Sequence, residues 1–219
     1  MRILVDTAHL DAIHEALQTG FVAGVTTNPT LLRRAGVSRS GVPGLARAAL
    51  AAGAGEVHLQ AYADDTPGMI REGLEFVELD SARVHVKLVA TRAGYRAAAA
   101  LSAKGVNVTM TAVYTLGQAL VAQSVGARSI AIYLGRLRDA GGDPMGLAGR
   151  MQDLLRAQGA DVDILAASIR DPGELAELAI RGVASATVVP AILERLLDSD
   201  ATTRDALVFT TDARSVADA

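Results

Sequence analysis

A lysine inside a run of β-branched residues is the first feature of this chain that could do chemistry. Lys87 interrupts Val84–Val89, a stretch otherwise suited to burial. Lysine is rarely fully buried without a partner. Where it is, loss of hydration disfavours the ammonium and lowers its pKa. A neutral amine is the form that adds to a carbonyl carbon. The alternative is a lysine whose stem crosses apolar surface while its ammonium reaches water at a rim. Lys87 alone does not choose between the two. Other candidates sit at the ends of similar runs: Asp6; Thr26, Thr27 and Asn28; Gln60; Thr111; Tyr133 with Arg136; and Ser168 with Arg170. Each has an ordinary explanation. An aspartate after a strand often caps the next helix, Thr-Thr-Asn-Pro is a common turn start, and surface arginines form ion pairs.

What makes these residues a set is the order of the elements that carry them. Short β-branched runs at 3–5, 23–26, 57–61, 84–89, 106–110, 129–133, 162–166 and 185–188 alternate with stretches of helical spacing at 43–52, 67–79, 92–104, 115–125, 145–158 and 172–181. Gly20, Gly53, Gly105, Gly126, Gly159 and Gly182 fall where a helix would end before the next strand. Units of this length demand parallel strands with right-handed crossovers. Eight of them predict a single α/β domain, a (β/α)8 TIM barrel, with a doubly wound open sheet as the alternative. The barrel is preferred because polar residues mark strand ends along the whole chain, whereas an open-sheet crevice would gather them at two or three strands. The C-terminal ends of barrel strands are where catalytic groups lie. The expected barrel covers 1–197, and 198–219 forms a C-terminal helical tail with a helix around 204–209.

Composition narrows the classes. The chain has 219 residues, enough to bury a core without staples. Half are hydrophobic but only 3% aromatic, so the core must be aliphatic. No cysteine is present, which excludes disulfides, thiolate metal sites and a cysteine nucleophile, and is consistent with a cytoplasmic protein. A net charge of −3 without a basic cluster disfavours nucleic acid. Residues 1–6 lack a signal-peptide pattern, and the apolar run 97–101 is too short to span a bilayer, so no membrane partner is expected. The four histidines, His9, His14, His58 and His85, show no recognisable ligand spacing, so neither metal nor cofactor is expected.

Six segments occur in order: Val-Asp-Thr at 5–7, Gly-Val-Thr-Thr-Asn-Pro-Thr at 24–30, Val-Lys at 86–87, Thr-Ala-Val-Tyr at 111–114 with Gln118-Ala119-Leu120, Tyr-Leu-Gly-Arg at 133–136, and Ala-Ala-Ser-Ile-Arg at 166–170. In this the chain resembles the small transaldolases and the similar fructose-6-phosphate aldolases over almost its whole length. The resemblance implies that Lys87 is the Schiff-base lysine of a class I aldol enzyme, holding a dihydroxyacetone fragment as an enamine. It implies that Asp6 moves a proton at the bond that breaks, and that Asn28 hydrogen-bonds the three-carbon unit. Thr26 lies in the same motif and is placed with it among the substrate-binding residues. It also implies that Thr111 holds a catalytic water and that Arg136, Ser168 and Arg170 grip a sugar phosphate. It further implies a homo-oligomer, a pentamer or a decamer. The apolar Leu207, Val208 and Phe209, beyond the closed barrel, would also need a dry surface.

Two positions separate the subgroups that the chain resembles. Transaldolases carry glutamate and phenylalanine where this sequence has Gln60 and Tyr133; the aldolases carry glutamine and tyrosine. An amide and a phenol orient a water, whereas a carboxylate can also take its proton. The chain is therefore expected to be aldolase-like, with transfer of the dihydroxyacetone unit between sugar phosphates as the alternative. An inactive sugar-phosphate-binding barrel is the alternative of another class, opposed by Asp6, Asn28 and Lys87. Departures from the family pattern are Val89 and Ile132 in place of prolines, and His58 and His85 in place of apolar residues. By parity with Gln60 and Lys87, both histidines should point into the barrel, where they read as satisfied core side chains.

Overall fold

The structure, a computed structural model, describes residues 1–217. The eight strands are β1 Arg2–Asp6, β2 Val22–Thr26, β3 Glu56–Gln60, β4 Val84–Val89, β5 Val108–Val113, β6 Ser129–Tyr133, β7 Asp163–Ala167 and β8 Ser185–Val188. They close in sequence order into a parallel barrel, with β8 pairing back onto β1. This is the (β/α)8 barrel that the alternation predicts. The helices are α1 Leu10–Gln18, α2 Pro29–Arg34, α3 Val42–Ala51, α4 Thr66–Val77, α5 Arg92–Ser102, α6 Leu116–Ser124, α7 Leu134–Asp139, α8 Pro144–Ala157, α9 Gly173–Ile180, α10 Pro190–Arg195 and α11 Asp200–Ala217. None of them is long and apolar enough to cross a membrane.

Side chains at strand ends start the helices. Asn28, Asp65, Thr91, Thr115 and Asp143 each accept a backbone N–H of the following first turn, and Thr115 with Gln118 completes a capping box. Pro29 occupies the first turn of α2, where no N–H is missed. At Gly94 an added Cβ would lie 2.0 Å from the carbonyl oxygen of Val89, so the entry of α5 onto β4 requires glycine.

Outward-facing strand residues, among them Val5, Val25, Val57, Leu59, Val86, Leu88 and Ile130, pack with the helices in one continuous aliphatic layer. Each fully buried side chain of this kind stabilises by roughly 1.5–3 kcal/mol. The interior is different. Only Leu4, Ala131 and Leu165 form a separate apolar cluster, spanning β1, β6 and β7. Elsewhere the lumen is polar, crossed by hydrogen bonds such as Thr26–Thr187 between β2 and β8 and His58–Thr109 between β3 and β5.

Two details depart from the sequence reading. The fifth strand was expected at 106–110 and runs over Val108–Val113. Its pairing with β6 is irregular between Met110 and Val113, and Ala112 takes a φ of 58°. That bulge keeps Thr111 within the strand while re-aiming the chain beyond it. The tail forms one helix, α11, longer than the 204–209 segment; Asp218 and Ala219 lie outside the described residues. On α11, Leu207, Val208, Phe209 and Val216 are all more than half exposed.

Candidate active site

The strand ends converge on a cavity of about 290 Å³ at the C-terminal mouth, bounded among others by Asp6, Asn28, Lys87, Tyr133, Arg136, Ser168 and Arg170. Lys87 is 3% exposed and does not snorkel to water. Its Nζ donates to the backbone carbonyl of Thr27 at 3.0 Å, from the neighbouring motif of β2. Burial lowers its pKa, and the charge of Asp6 opposes that shift. Asp6 responds in the complementary sense. Burial raises its pKa, against Lys87 and a 2.6 Å hydrogen bond from Thr26 Oγ1. A carboxyl group pushed up and an amine pushed down are shifted toward one another in proton affinity.

Thr26 itself lies outside the cavity wall. It is fully buried, bonded to Asp6 and, at 2.7 Å, to Thr187 of β8, so it holds Asp6 rather than lining the space where a substrate would sit. Asn28 Oδ1 accepts Leu31 N at 3.1 Å, which caps α2 and leaves the amide NH2 free to donate. The Thr111 hydroxyl meets the Tyr133 hydroxyl at 3.0 Å. Gln60 ends β3 in register with Lys87, but among the described residues no side-chain hydrogen bond ties it to that hydroxyl pair.

The three C-terminal residues of the set sit where β6 and β7 end. Ser168 has a φ of 61°, in the left-handed region that a residue with a side chain rarely adopts. Gly135 N donates to the Ser168 carbonyl at 3.0 Å. A Cβ at Gly135 would approach that oxygen to 2.4 Å and Arg170 Nε to 2.9 Å, so the close join of β6 and β7 depends on this glycine. Arg136 stacks on the Tyr133 ring, its Cζ 4.7 Å from the centroid. Arg170 makes a two-pronged ion pair with Asp139 of α7. Among the described residues Arg136 has no such carboxylate, so its donors remain available to an anion.

Arg34 was not among the sequence-predicted residues. It lines the same cavity from the end of α2. The signal was present as a basic pair one turn beyond Asn28-Pro29, but α2 has only six residues, too few for helical periodicity to show which face they occupy. Glu56 was missed for another reason: it lies at the start of β3, away from the strand ends where chemistry was sought. It brings His58 and His85 together at the opposite mouth.

A closed (β/α)8 barrel with a buried lysine, an aspartate and an arginine-rich rim at its C-terminal mouth has the layout of the barrel enzymes. Comparison with known proteins gives the family. The profile described as "Transaldolase/Fructose-6-phosphate aldolase" matches residues 3–219, and the chain belongs to that family. A "Probable transaldolase" of Geobacillus thermodenitrificans is 35% identical over 212 residues, covering 97% of this chain and 98% of the relative. One of Leptospira biflexa is 31% identical over 216 residues, covering 99% of each. Among solved structures, a putative phosphonomutase from Burkholderia cenocepacia aligns over 96% of this chain and 92% of its own with a TM-score of 0.65; at 14% identity it shares the fold alone.

Proposed function

We propose that the protein is a class I aldol enzyme that cleaves or forms a C–C bond of a sugar phosphate through a Schiff base on Lys87. The observation that carries this reading is the state of Lys87: a buried amine, held by one carbonyl, lining a cavity shared with Asp6. The neutral Nζ adds to the ketone carbon of a ketose phosphate, and loss of water leaves an iminium ion. Asp6 takes the proton of the hydroxyl on the carbon beyond the scissile bond. That bond breaks, its electron pair flows into the iminium, and an aldose phosphate departs. The enamine left on Lys87 is a dihydroxyacetone unit within reach of the Asn28 amide. Protonation and hydrolysis then release dihydroxyacetone and restore the amine. Arg136 and Ser168 hold the phosphate, and Thr111 with Tyr133 holds the water used in hydrolysis. Every group on this route belongs to the chain itself, so the reaction is written without a metal.

Gln60 and Tyr133 favour the aldolase form. The transfer form, in which the enamine attacks a second aldose phosphate, is favoured by the names of the relatives. One assay separates them: release of free dihydroxyacetone from fructose 6-phosphate alone supports the aldolase, and strict dependence on an added aldose phosphate supports the transferase. The absence of cysteine fits a reducing cytoplasm.

The same reading includes assembly into a pentamer or decamer. Its support is α11, whose exposed Leu207, Val208 and Phe209 find no cover on their own barrel. Light scattering at micromolar concentration should give such a ring, and removal of 200–219 should disperse it while leaving barrel folding intact. A monomeric full-length chain contradicts the assembly.

A further inference from the structure

We propose that Glu56, His58 and His85 form a binding site for one divalent transition-metal ion of zinc-like ligand preference at the N-terminal mouth of the barrel. The site lies at the end opposite the catalytic cavity. One ligand atom from each residue lies within 4.8 Å of the others. Glu56 Oε2 stands 3.0 Å from His58 Nε2 and 3.6 Å from His85 Nε2. Two ligands on one tetrahedral zinc, each about 2.0–2.1 Å from the ion, stand roughly 3.3 Å apart. The two observed separations bracket that value.

The surroundings suit a built site. Thr109 Oγ1 lies 3.0 Å from His58 Nδ1, the outer partner that fixes a metal-bound imidazole. Arg2 Nε holds Glu56 Oε1 at 3.1 Å and leaves Oε2 for the ion. Gly24 makes room: a Cβ there would lie 2.7 Å from Glu56 Cγ. His85 Nδ1 is buried with no hydrogen-bond partner, in a side chain only 10% exposed, so this histidine is not the satisfied core residue that parity suggested. The two rings stack 4.4 Å apart at 17°, presenting the same edge to the carboxylate. The in-plane lone pairs of rings stacked this way run side by side, so binding one ion requires His85 to turn about its soft terminal torsion. A cavity of about 290 Å³ beside Arg2, Gly55, Glu56, His85 and Arg128 gives the ring that room and a water the fourth position.

Charge permits a cation there. Arg2 and Arg128 are nearby, but Arg2 is bound to Glu56 and Asp163, and Arg128 to Asp161. Three carboxylates thus face two guanidiniums. Binding needs no net loss of a proton. In the free site the one N–H of a neutral His58 sits on Nε2 and is donated to Glu56 Oε2, while the Thr109 hydroxyl donates to Nδ1. On binding, the N–H moves to Nδ1 and is donated to Thr109 Oγ1, which leaves the Nε2 lone pair for the ion. The ion would tie β3 to β4 at the face of a barrel that serves stability rather than chemistry.

The test is titration of tag-free, chelator-treated full-length protein with Co2+ and Zn2+. The visible spectrum of Co2+ reports tetrahedral nitrogen and oxygen ligation, and thermal unfolding reports stabilisation. The expected result is one equivalent bound, with a rise in Tm, in wild type and in the His9→Ala/His14→Ala control. Binding should fall at least a hundredfold in His85→Ala. No stoichiometric binding by wild type overturns the proposal even if every variant misfolds. So does binding that survives in folded His85→Ala or is lost in the control.

Discussion

The two mouths of the barrel are both polar, yet they are built on opposite rules. At the C-terminal mouth, groups are left with unmet valence: Lys87 has a single carbonyl, the Asn28 amide and Arg136 keep free donors, and Ser168 is held at a φ of 61°. At the N-terminal mouth nearly everything is paired. Arg2 bridges Glu56 and Asp163, and Glu56 also meets His58. Burial pushes the Glu56 carboxyl up, but the His58 hydrogen bond and the nearby cations outweigh it and hold the pKa down at about 2. Buried polar groups that are satisfied specify a structure; those left unsatisfied are available to a ligand. His85, with its orphaned Nδ1, is the exception at the lower mouth.

The contrast can be broken most forcefully from below. Glu56→Ala removes the partner of a buried His58 and of a half-exposed Arg2, and should cost about 1–3 kcal/mol of stability, most of it from His58. Urea unfolding in metal-free buffer measures it. A loss under 1 kcal/mol would mean that the lower mouth is not a stabilising network. At the upper mouth the expected losses are of activity. Tyr133→Phe removes the hydroxyl bonded to Thr111 and should slow aldol cleavage by about 10²-fold with the stability little changed. Near-normal cleavage would reduce Tyr133 to pocket lining and leave the aldolase assignment without a physical basis.

Much of this contrast was legible in the sequence, and the part that was not has a common cause. The alternation of β-branched runs and helical spacing carries the barrel, because strand and helix periods differ over runs of this length. Asp6, Asn28, Lys87, Tyr133, Arg136, Ser168 and Arg170 could be grouped from sequence because a barrel brings its strand ends to one mouth, and all seven line one cavity there. Thr26 was placed in the wall because its motif is contiguous, whereas strand alternation turns it to Asp6 and Thr187. Glu56 and Arg34 were missed because part of each one's setting is assembled only by the fold, although Glu56 has His58 two residues on. The first also meets His85 on another strand, 29 positions on; the second shares a cavity with Arg136, from α7. Cross-strand proximity of that kind is set by barrel closure and not by local spacing.

A smaller effect sharpens the comparison within the upper mouth. Arg136→Ala should raise KM for a phosphorylated aldehyde by about thirtyfold, corresponding to about 2 kcal/mol for a charged hydrogen bond, and spare unphosphorylated aldehydes. Arg170→Ala should raise that KM by less, because its guanidinium is half exposed and already committed to Asp139. Kinetics of the two variants on both substrate types decide it. Equal losses would show that Arg170 leaves Asp139 when the phosphate binds.

The central claim is that Lys87 is a nucleophile, and borohydride trapping tests it most directly. Wild-type protein treated with fructose 6-phosphate or dihydroxyacetone and then reduced should gain a covalent adduct, mapped by mass spectrometry to the peptide that contains Lys87. Lys87→Arg, whose guanidinium cannot deprotonate to a neutral amine, should give no adduct and lose turnover by on the order of 10⁴-fold in the fraction that folds. An adduct on another lysine, or turnover that persists in the arginine variant, would contradict the account.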